Sequence, residues 1–161
     1  MEGATPGDEP ETSERHDLPD DASAAGIARV KARRFVGRVR MEAVLEPLTL
    51  IVSELVSNAV RHGKPPIQLL LQRVGRGVRV DVHDEAPEAG PTNDLDGPAT
   101  LPGPDAEGGR GRFLVDALSS RHGVMEIPDD GKEVWAVIEP DRSQDRAAET
   151  ESPEHSRDAG R

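Results

Sequence analysis

The sequence predicts an α+β domain in which a mostly antiparallel sheet carries its helices on one face. The prediction rests on the order of the periodic segments, which is helix, helix, hairpin, loop, helix, hairpin. Segments with helical spacing and segments that alternate or are continuously apolar are separated by Gly- and Pro-rich turns. Strands joined by tight turns pair antiparallel, and neighbouring helices then cover one side of the sheet. The elements are predicted at residues 23–45, 47–63, 67–74, 78–84, 112–121, 124–127 and 133–139.

Charge and composition place the folded part in the middle of the chain. The protein has 161 residues and a formal net charge of −11, and residues 1–21 alone hold eight acidic residues and one Arg. Both ends are nearly free of large apolar residues, so they cannot bury enough surface to offset the entropy of ordering. We predict a disordered acidic tail at 1–21, one domain at 22–140 and a disordered tail at 141–161.

Two absences in the sequence narrow the class of protein. There is no cysteine, which excludes disulfides, thiolate zinc sites and cysteine nucleophiles and fits a reducing compartment. No apolar run approaches the ~20 residues of a membrane span, and the N-terminus is acidic rather than signal-like. We therefore expect a cytoplasmic protein without a membrane partner.

The first predicted helix has a basic side. Ser23 is a candidate cap at its start. A basic helix can bind nucleic-acid phosphates, but the domain is slightly acidic and lacks aromatic residues for base stacking. We predict no direct contact with nucleic acid, and instead a solvated face or a docking face for an acidic protein. The basic residues are Arg29, Lys31, Arg33, Arg34, Arg38 and Arg40.

The second predicted helix combines an apolar stripe with a polar one. Pro47 suits its first position, and Gly63 ends it. Glu54, Asn58 and Arg61 share one face, beside the apolar stripe. A carboxylate and a carboxamide one turn apart can hold a cation, a water or a hydroxyl, but spacing alone favours a solvated face with a Glu-to-Arg pair. The apolar stripe consists of Leu48, Ile51, Val52, Leu55 and Ala59.

Two further stretches could carry chemistry. Asp84 ends a strand, where a carboxylate either borders a site or forms a turn. The loop 85–108 is long and aperiodic, which is typical of a functional or a disordered segment. Gly109-Arg110-Gly111 then opens a helix, and backbone N–H groups there can approach an anion.

In this order the motifs resemble the Bergerat-fold ATP-binding superfamily, which includes histidine kinases, gyrase-type ATPases and anti-sigma-factor serine kinases. The resemblance is narrower to the anti-sigma-factor serine kinases and to single-domain ATP-binding regulators of high-GC bacteria. It covers residues 22–140 and implies a two-layer α+β sandwich. It is carried by Glu54-x-x-x-Asn58-Ala59-x-Arg61-His62-Gly63, by Asp84 before a long loop, by Gly109-Arg110-Gly111, and by Gly131-Lys132-x-Val134-Trp135.

The resemblance implies ATP and Mg²⁺ as cofactors and gives a role to each motif. Glu54 is the expected general base, which accepts a proton from a serine hydroxyl or water. Asn58 is the expected Mg²⁺ ligand, and Asp84 is expected to accept a hydrogen bond from the adenine amino group. The loop 85–108 is the expected lid over ATP. The remaining nucleotide contacts are expected from Arg61, Gly109, Arg110 and Gly111.

The resemblance also implies a function and a partner. The function is ATP-dependent serine/threonine phosphorylation of an anti-sigma-factor antagonist, binding of a sigma factor, or both. Relatives pair as dimers, so a homodimer is one possible state, and the sequence leaves the oligomeric state open. The chain departs from the family pattern at Asp84-Glu85-Ala86-Pro87-Glu88, where Asp-x-Gly-x-Gly is usual. The alternative is therefore a non-catalytic ATP-binding or partner-docking module of the same fold.

Overall fold

The computed structural model of the chain describes residues 12–86 and 109–141. Most of the predicted loop 85–108 and of the predicted C-terminal tail lies outside the described residues. A short 3₁₀ helix, Glu42–Val44, precedes the second α-helix. The elements are β1 Ser13–Leu18, α1 Ala24–Val39, α2 Leu45–His62, β2 Ile67–Val74, β3 Gly77–Asp84, α3 Gly109–Leu118, β4 Arg121–Glu126 and β5 Lys132–Ile138.

The five strands form one sheet in the order β1-β2-β3-β5-β4, and every neighbouring pair is antiparallel. The hairpins β2–β3 and β4–β5 meet where β3 pairs with β5. The predicted antiparallel sheet is confirmed, and so is the interior position predicted for the last strand, whose residues 134–138 are apolar on both faces.

The helices lie on one face of this sheet and enclose the core. From α2, the predicted stripe at Leu48, Ile51, Val52, Leu55 and Ala59 is buried. It meets the inward residues of the central strands and the buried side of α1. Burial of each Leu, Ile or Val side chain in this stripe contributes on the order of 1.5–3 kcal/mol. The predicted two-layer α+β class is confirmed.

By length and composition alone, the helical stretch Glu42–His62 would also qualify as a membrane span. From its apolar runs, the sequence was predicted to contain no membrane span. Its buried residues belong to the hydrophobic core, which is the arrangement expected of a central helix packed on a sheet.

Strand β1 lies inside the segment that composition predicted to be a disordered tail, so that prediction was wrong for Ser13–Leu18. The strand forms a full antiparallel ladder with β2, from Ser13 opposite Gln72 to Leu18 opposite Ile67. Its backbone hydrogen bonds to β2 hold it in place, and Leu18 at its end is buried in the hydrophobic core. Charged side chains are usual on such an edge strand.

Two predicted helix boundaries and one predicted cap also differ from the structure. Helix α1 ends at Val39, because Arg40 adopts a left-handed conformation with φ 54°. Ser23 does not cap α1 with its side chain; its hydroxyl donates to Asp21 instead. Helix α2 begins at Leu45, two residues before the predicted start at Pro47.

The third helix has the predicted length of ten residues but lies three residues earlier in the chain, at Gly109–Leu118 instead of 112–121. It ends at Leu118, and residues 121–123, which were expected to end it, begin β4. The reason lies in the backbone: the N–H of Ser120 donates to the carbonyl of Val137 in β5, 2.8 Å away, so the chain has already joined the sheet.

Candidate functional site

The polar face of α2 is half-buried at Glu54 and Asn58 and exposed at Arg61. Arg61 does not form the predicted ion pair with Glu54. Its Nη2 donates to the side-chain oxygen of Asn58 at 3.1 Å, and its Nε donates to the backbone carbonyl of Ser57 at 3.3 Å. The oxygen expected to bind Mg²⁺ is thus held by one exposed hydrogen bond.

Glu54 lies directly against the start of α3. A Cβ added at Gly111 would be 2.2 Å from Oε2 of Glu54 and 3.1 Å from its Cδ. The carboxylate therefore occupies the space that any side chain at position 111 would need. The same turn holds the first backbone N–H groups of α3, which have no partner inside the helix. The structure thus joins two motifs that lie more than 50 residues apart in sequence.

Asp84 lies at the end of β3 and is buried together with Lys132, the first residue of β5. The two residues are direct partners across the β3–β5 ladder. Oδ1 of Asp84 accepts a hydrogen bond from Nζ of Lys132 at 3.2 Å, and the side chains are 3% and 2% exposed. The same oxygen accepts the N–H of Ala86 at 2.8 Å. The hydrogen bond from Ala86 closes a turn, and a turn was one of the two interpretations that the sequence left open for Asp84.

Two glycines leave room for Asp84. A Cβ at Gly63, which follows α2, would be 2.6 Å from Cγ of Asp84 and 2.5 Å from the carbonyl of Ala59. Gly131 has φ +82°, and its Cβ would be 2.1 Å from the carbonyl of Asp84. Side chains at these positions would displace Asp84, so the glycines of both motifs have a steric role.

The predicted site residues thus fall into two groups on the helix side of the sheet. Glu54 and Gly111 are together, as are Asn58 and Arg61, all around α2. Asp84 lies deeper, beside the end of α2 at Gly63. Gly109 and Arg110 lie in the first turn of α3, and the side chain of Arg110 is outside the described part of the chain.

The donor set around α2 suits a nucleotide-bound cation better than a resident metal ion. The described residues contain no cluster of three or more His, Cys, Asp or Glu that could hold a metal. Asn58 offers a single amide oxygen, and Glu54 is a carboxylate one helical turn away. Mg²⁺ in nucleotide sites commonly takes one or two protein oxygens and completes its shell with phosphate and water. The residues therefore fit Mg²⁺ that arrives with ATP.

Lys132 was not among the predicted site residues. A lysine at the start of a strand is ordinarily solvated, and only the register between β3 and β5 reveals that it faces Asp84. The signal present in the sequence was its place in the Gly131-Lys132-x-Val134-Trp135 motif.

The opposite face of the sheet carries a second group of charges. Nε of Arg79 donates to both oxygens of Asp81, at 2.8 and 3.0 Å, and its guanidinium lies 4.7 Å from the centre of the Trp135 ring. Glu133 lies 3.8 Å from Arg79. Burial, followed by the hydrogen bond and charge of Asp81, raises the pKa of Glu133 from 4.5 to about 7.

Comparison with known proteins identifies the class of the chain. Residues 18–138 match the family described as a histidine kinase-like ATPase domain. The chain belongs to this family of Bergerat-fold ATP-binding domains, as its motifs predicted. The match begins at the last residue of β1, inside the segment predicted to be a tail.

The fold also matches a solved structure, that of the RsbU and RsbW domains of Rv1364c from Mycobacterium tuberculosis. The TM-score is 0.56 at 20% sequence identity. The match covers 81% of this chain and 32% of the other, so this chain spans about a third of that protein. At this identity the likeness shows a shared fold. No curated protein matches the sequence.

Proposed function

We propose that the protein is an ATP-dependent serine/threonine kinase that regulates a protein partner. The expected partner is an anti-sigma-factor antagonist, a sigma factor, or both. The observation that supports phosphotransfer is the contact between Glu54 and Gly111, because it puts a carboxylate at the N-terminal turn of a helix. Such a turn is where a triphosphate would be bound by backbone N–H groups.

The proposed reaction uses Glu54 as general base. A serine or threonine hydroxyl of the partner attacks the γ-phosphorus of ATP while Glu54 accepts the hydroxyl proton. A new P–O bond forms, the bond between the γ-phosphorus and the bridging oxygen breaks, and ADP leaves with that oxygen. Bound Mg²⁺ would supply charge neutralisation at the phosphates.

Asn58 and Arg61 would change partners when nucleotide binds. In the structure Arg61 donates to the same Asn58 oxygen that a cation would need. A hydrogen bond at an exposed position contributes only about 0.5–1.5 kcal/mol, so its exchange for a cation is inexpensive. Arg61 would then be available for the phosphates.

The basic side of α1 is the proposed place for an acidic partner or a second copy of the chain. Two apolar residues of α1, Ile27 and Val30, are 37% and 45% exposed, beside this basic side. The proposed location of the protein is the cytoplasm, where sigma-factor regulation occurs.

Calorimetric titration of ATP, with and without Mg²⁺, tests the nucleotide site. We expect Mg²⁺-dependent binding that Asn58→Ala removes and that Arg61→Ala leaves measurable. Absence of ATP binding to the unmodified protein in either condition would contradict the proposal.

Phosphotransfer needs a separate assay. Antagonist proteins encoded in the same genome would be incubated with the protein, Mg²⁺ and ATP labelled at the γ-phosphate. We expect transfer to one of them, and a loss of about 100-fold or more with Glu54→Gln, which keeps the shape but removes the base.

A non-catalytic role is the second candidate. It is favoured by the two protein donors already on Oδ1 of Asp84 and by Ala86, which stands where the family has glycine. In that case Glu54→Gln would keep full regulatory activity toward the partner while still binding ATP.

A further inference from the structure

The buried lysine beside Asp84 has no part in the function proposed so far. An ammonium group carries three N–H donors. Within the described residues, the structure shows one hydrogen bond for Nζ of Lys132, to Oδ1 of Asp84. Its side chain is 2% exposed, so the other donors face the protein interior rather than bulk water. A buried donor without an acceptor is costly, which indicates that this site is completed by another group.

The surroundings of the pair favour a flat, uncharged group. Asp84 and Lys132 are directly paired on the helix side of the sheet, and together they have no net charge. A phosphate would find its attraction to the ammonium cancelled by repulsion from the carboxylate at the same distance. Gly63 adds no side chain beside the carboxylate, since a Cβ there would be 2.6 Å from Cγ and 2.8 Å from Oδ2 of Asp84. The site therefore suits the base of a nucleotide and not its phosphates.

We infer that Lys132 is a specificity-determining residue that reads ring nitrogen N1 of adenine while Asp84 reads the neighbouring amino group. This inference rests on the proposed ATP site. The edge of adenine presents a donor, the amino group, beside an acceptor, N1. A carboxylate next to an ammonium presents the complementary order, acceptor beside donor.

The same pair rejects guanine and hypoxanthine. Their edge has an oxygen where adenine has the amino group, and an N–H where adenine has N1. Oxygen would face the carboxylate of Asp84, and N–H would face the ammonium of Lys132. Sites with buried hydrogen-bonding groups discriminate strongly against ligands that leave those groups unpaired. We expect GTP and inosine triphosphate to bind at least about 100-fold more weakly than ATP.

The test measures binding of ATP analogues to the full chain by calorimetry. The decisive probe is 1-deaza-ATP, which keeps the amino group but has C–H in place of N1. Purine riboside triphosphate, which keeps N1 but lacks the amino group, tests Asp84 in the same way. We expect 1-deaza-ATP to bind about 10- to 100-fold more weakly than ATP, the loss typical of one charge-assisted hydrogen bond.

Two variants check that Lys132 causes the difference. In Lys132→Met, ATP and 1-deaza-ATP should bind equally. In Lys64→Met, which removes an exposed lysine next to Gly63, the ratio should be that of the unmodified protein. If Lys132→Met does not fold, equal binding of ATP and 1-deaza-ATP to the unmodified protein would still overturn the role of Lys132.

The outcomes separate this inference from the proposed function. Equal binding of ATP and 1-deaza-ATP to the unmodified protein would overturn the role of Lys132 and leave the ATP site intact. Absence of ATP binding would overturn both. Weaker 1-deaza-ATP binding that persists in Lys132→Met would assign N1 recognition to another group.

Discussion

Both faces of the sheet carry carboxylates that are removed from water, but the charges of these carboxylates are compensated differently on the two faces. On the helix face one carboxylate, Asp84, meets one ammonium, Lys132, and both are nearly inaccessible. On the other face two carboxylates, Asp81 and Glu133, share the guanidinium of Arg79. The first group has no net charge. The second has one negative charge in excess, and a proton on Glu133 relieves it.

This difference shows that burial alone does not determine how a charged group behaves. In a balanced pair each charge has its counter-charge at a fixed position, which is what a ligand-reading site requires. An unbalanced group stays sensitive to pH even though it is less buried. We therefore expect mutation to change stability most at the Asp84–Lys132 pair, and pH to change stability through Glu133.

The largest effect is expected from breaking the balanced pair. Lys132→Met should lower the free energy of unfolding by about 3–5 kcal/mol, because it leaves the Asp84 carboxylate buried without a counter-charge. Urea denaturation at pH 7 measures this loss. The double variant Asp84→Leu/Lys132→Met should recover most of it, since neither charge then remains. If Lys132→Met lowered the free energy of unfolding by less than about 1 kcal/mol, the pair would behave like an exposed ion pair and not like a buried one.

The second effect concerns packing around Asp84. Gly63→Ala places a Cβ 2.5 Å from the carbonyl of Ala59 and 2.6 Å from Cγ of Asp84, and should cost about 1–3 kcal/mol. Gly37→Ala is the matched control, because a Cβ in that exposed part of α1 meets nothing within 4 Å. It should stabilise the protein by about 0.5–1 kcal/mol through helix propensity. Equal effects of the two changes in thermal unfolding would argue against tight packing at Asp84.

The third effect is the pH dependence of the free energy of unfolding, which arises from Glu133 on the face opposite the helices. The pKa of Glu133 is raised to about 7 in the folded protein, from 4.5. The folded state thus holds its proton more tightly, and the resulting stability is complete below about 4.5 and is lost as pH rises through 7. Glu133→Gln should remove this pH-dependent part of the stability, which is about 2 kcal/mol once the shift is reduced for screening by solvent. The free energy of unfolding of the unmodified protein and of Glu133→Gln is measured by denaturation between pH 5 and 8. An equal pH dependence in the two proteins would contradict the assignment to Glu133.

The smallest effect is the contact between Arg79 and Trp135. The guanidinium lies 4.7 Å from the ring centre on a partly exposed surface, a geometry that contributes about 0.5–1 kcal/mol. A double-mutant cycle with Arg79→Ala and Trp135→Ala isolates this coupling from the separate loss of the ion pair with Asp81. Additive single effects would show that the stacking adds nothing to stability.

Local patterns were enough to predict the central elements of the fold. Helix α2 has an apolar stripe and a clear stop at Gly63, and the hairpin β2–β3 shows strand periodicity around a glycine turn. Glu54 and Gly111, which are in contact, belong to two motifs that were recognised in the sequence. These features depend on residues that are close in sequence or belong to a recognisable family pattern.

Features created by pairing of distant segments could not be predicted. Strand β1 consists largely of charged residues and takes its structure from β2, which lies about 50 residues further along the chain. The role of Lys132 depends on one register between β3 and β5. Neither segment has a composition that indicates its surroundings, because both are defined by the partner strand rather than by their own side chains.

The position of β1 has a consequence for self-association. The next strand, β2, has the sequence IQLLLQRV, and an uncovered strand of this kind is a ready template for β-sheet growth between molecules. Six residues rich in charge cover it and present a polar rim to neighbouring molecules. A shortened chain that starts after Leu18 would expose this apolar strand and should aggregate, so β1 protects the edge of the sheet against self-association.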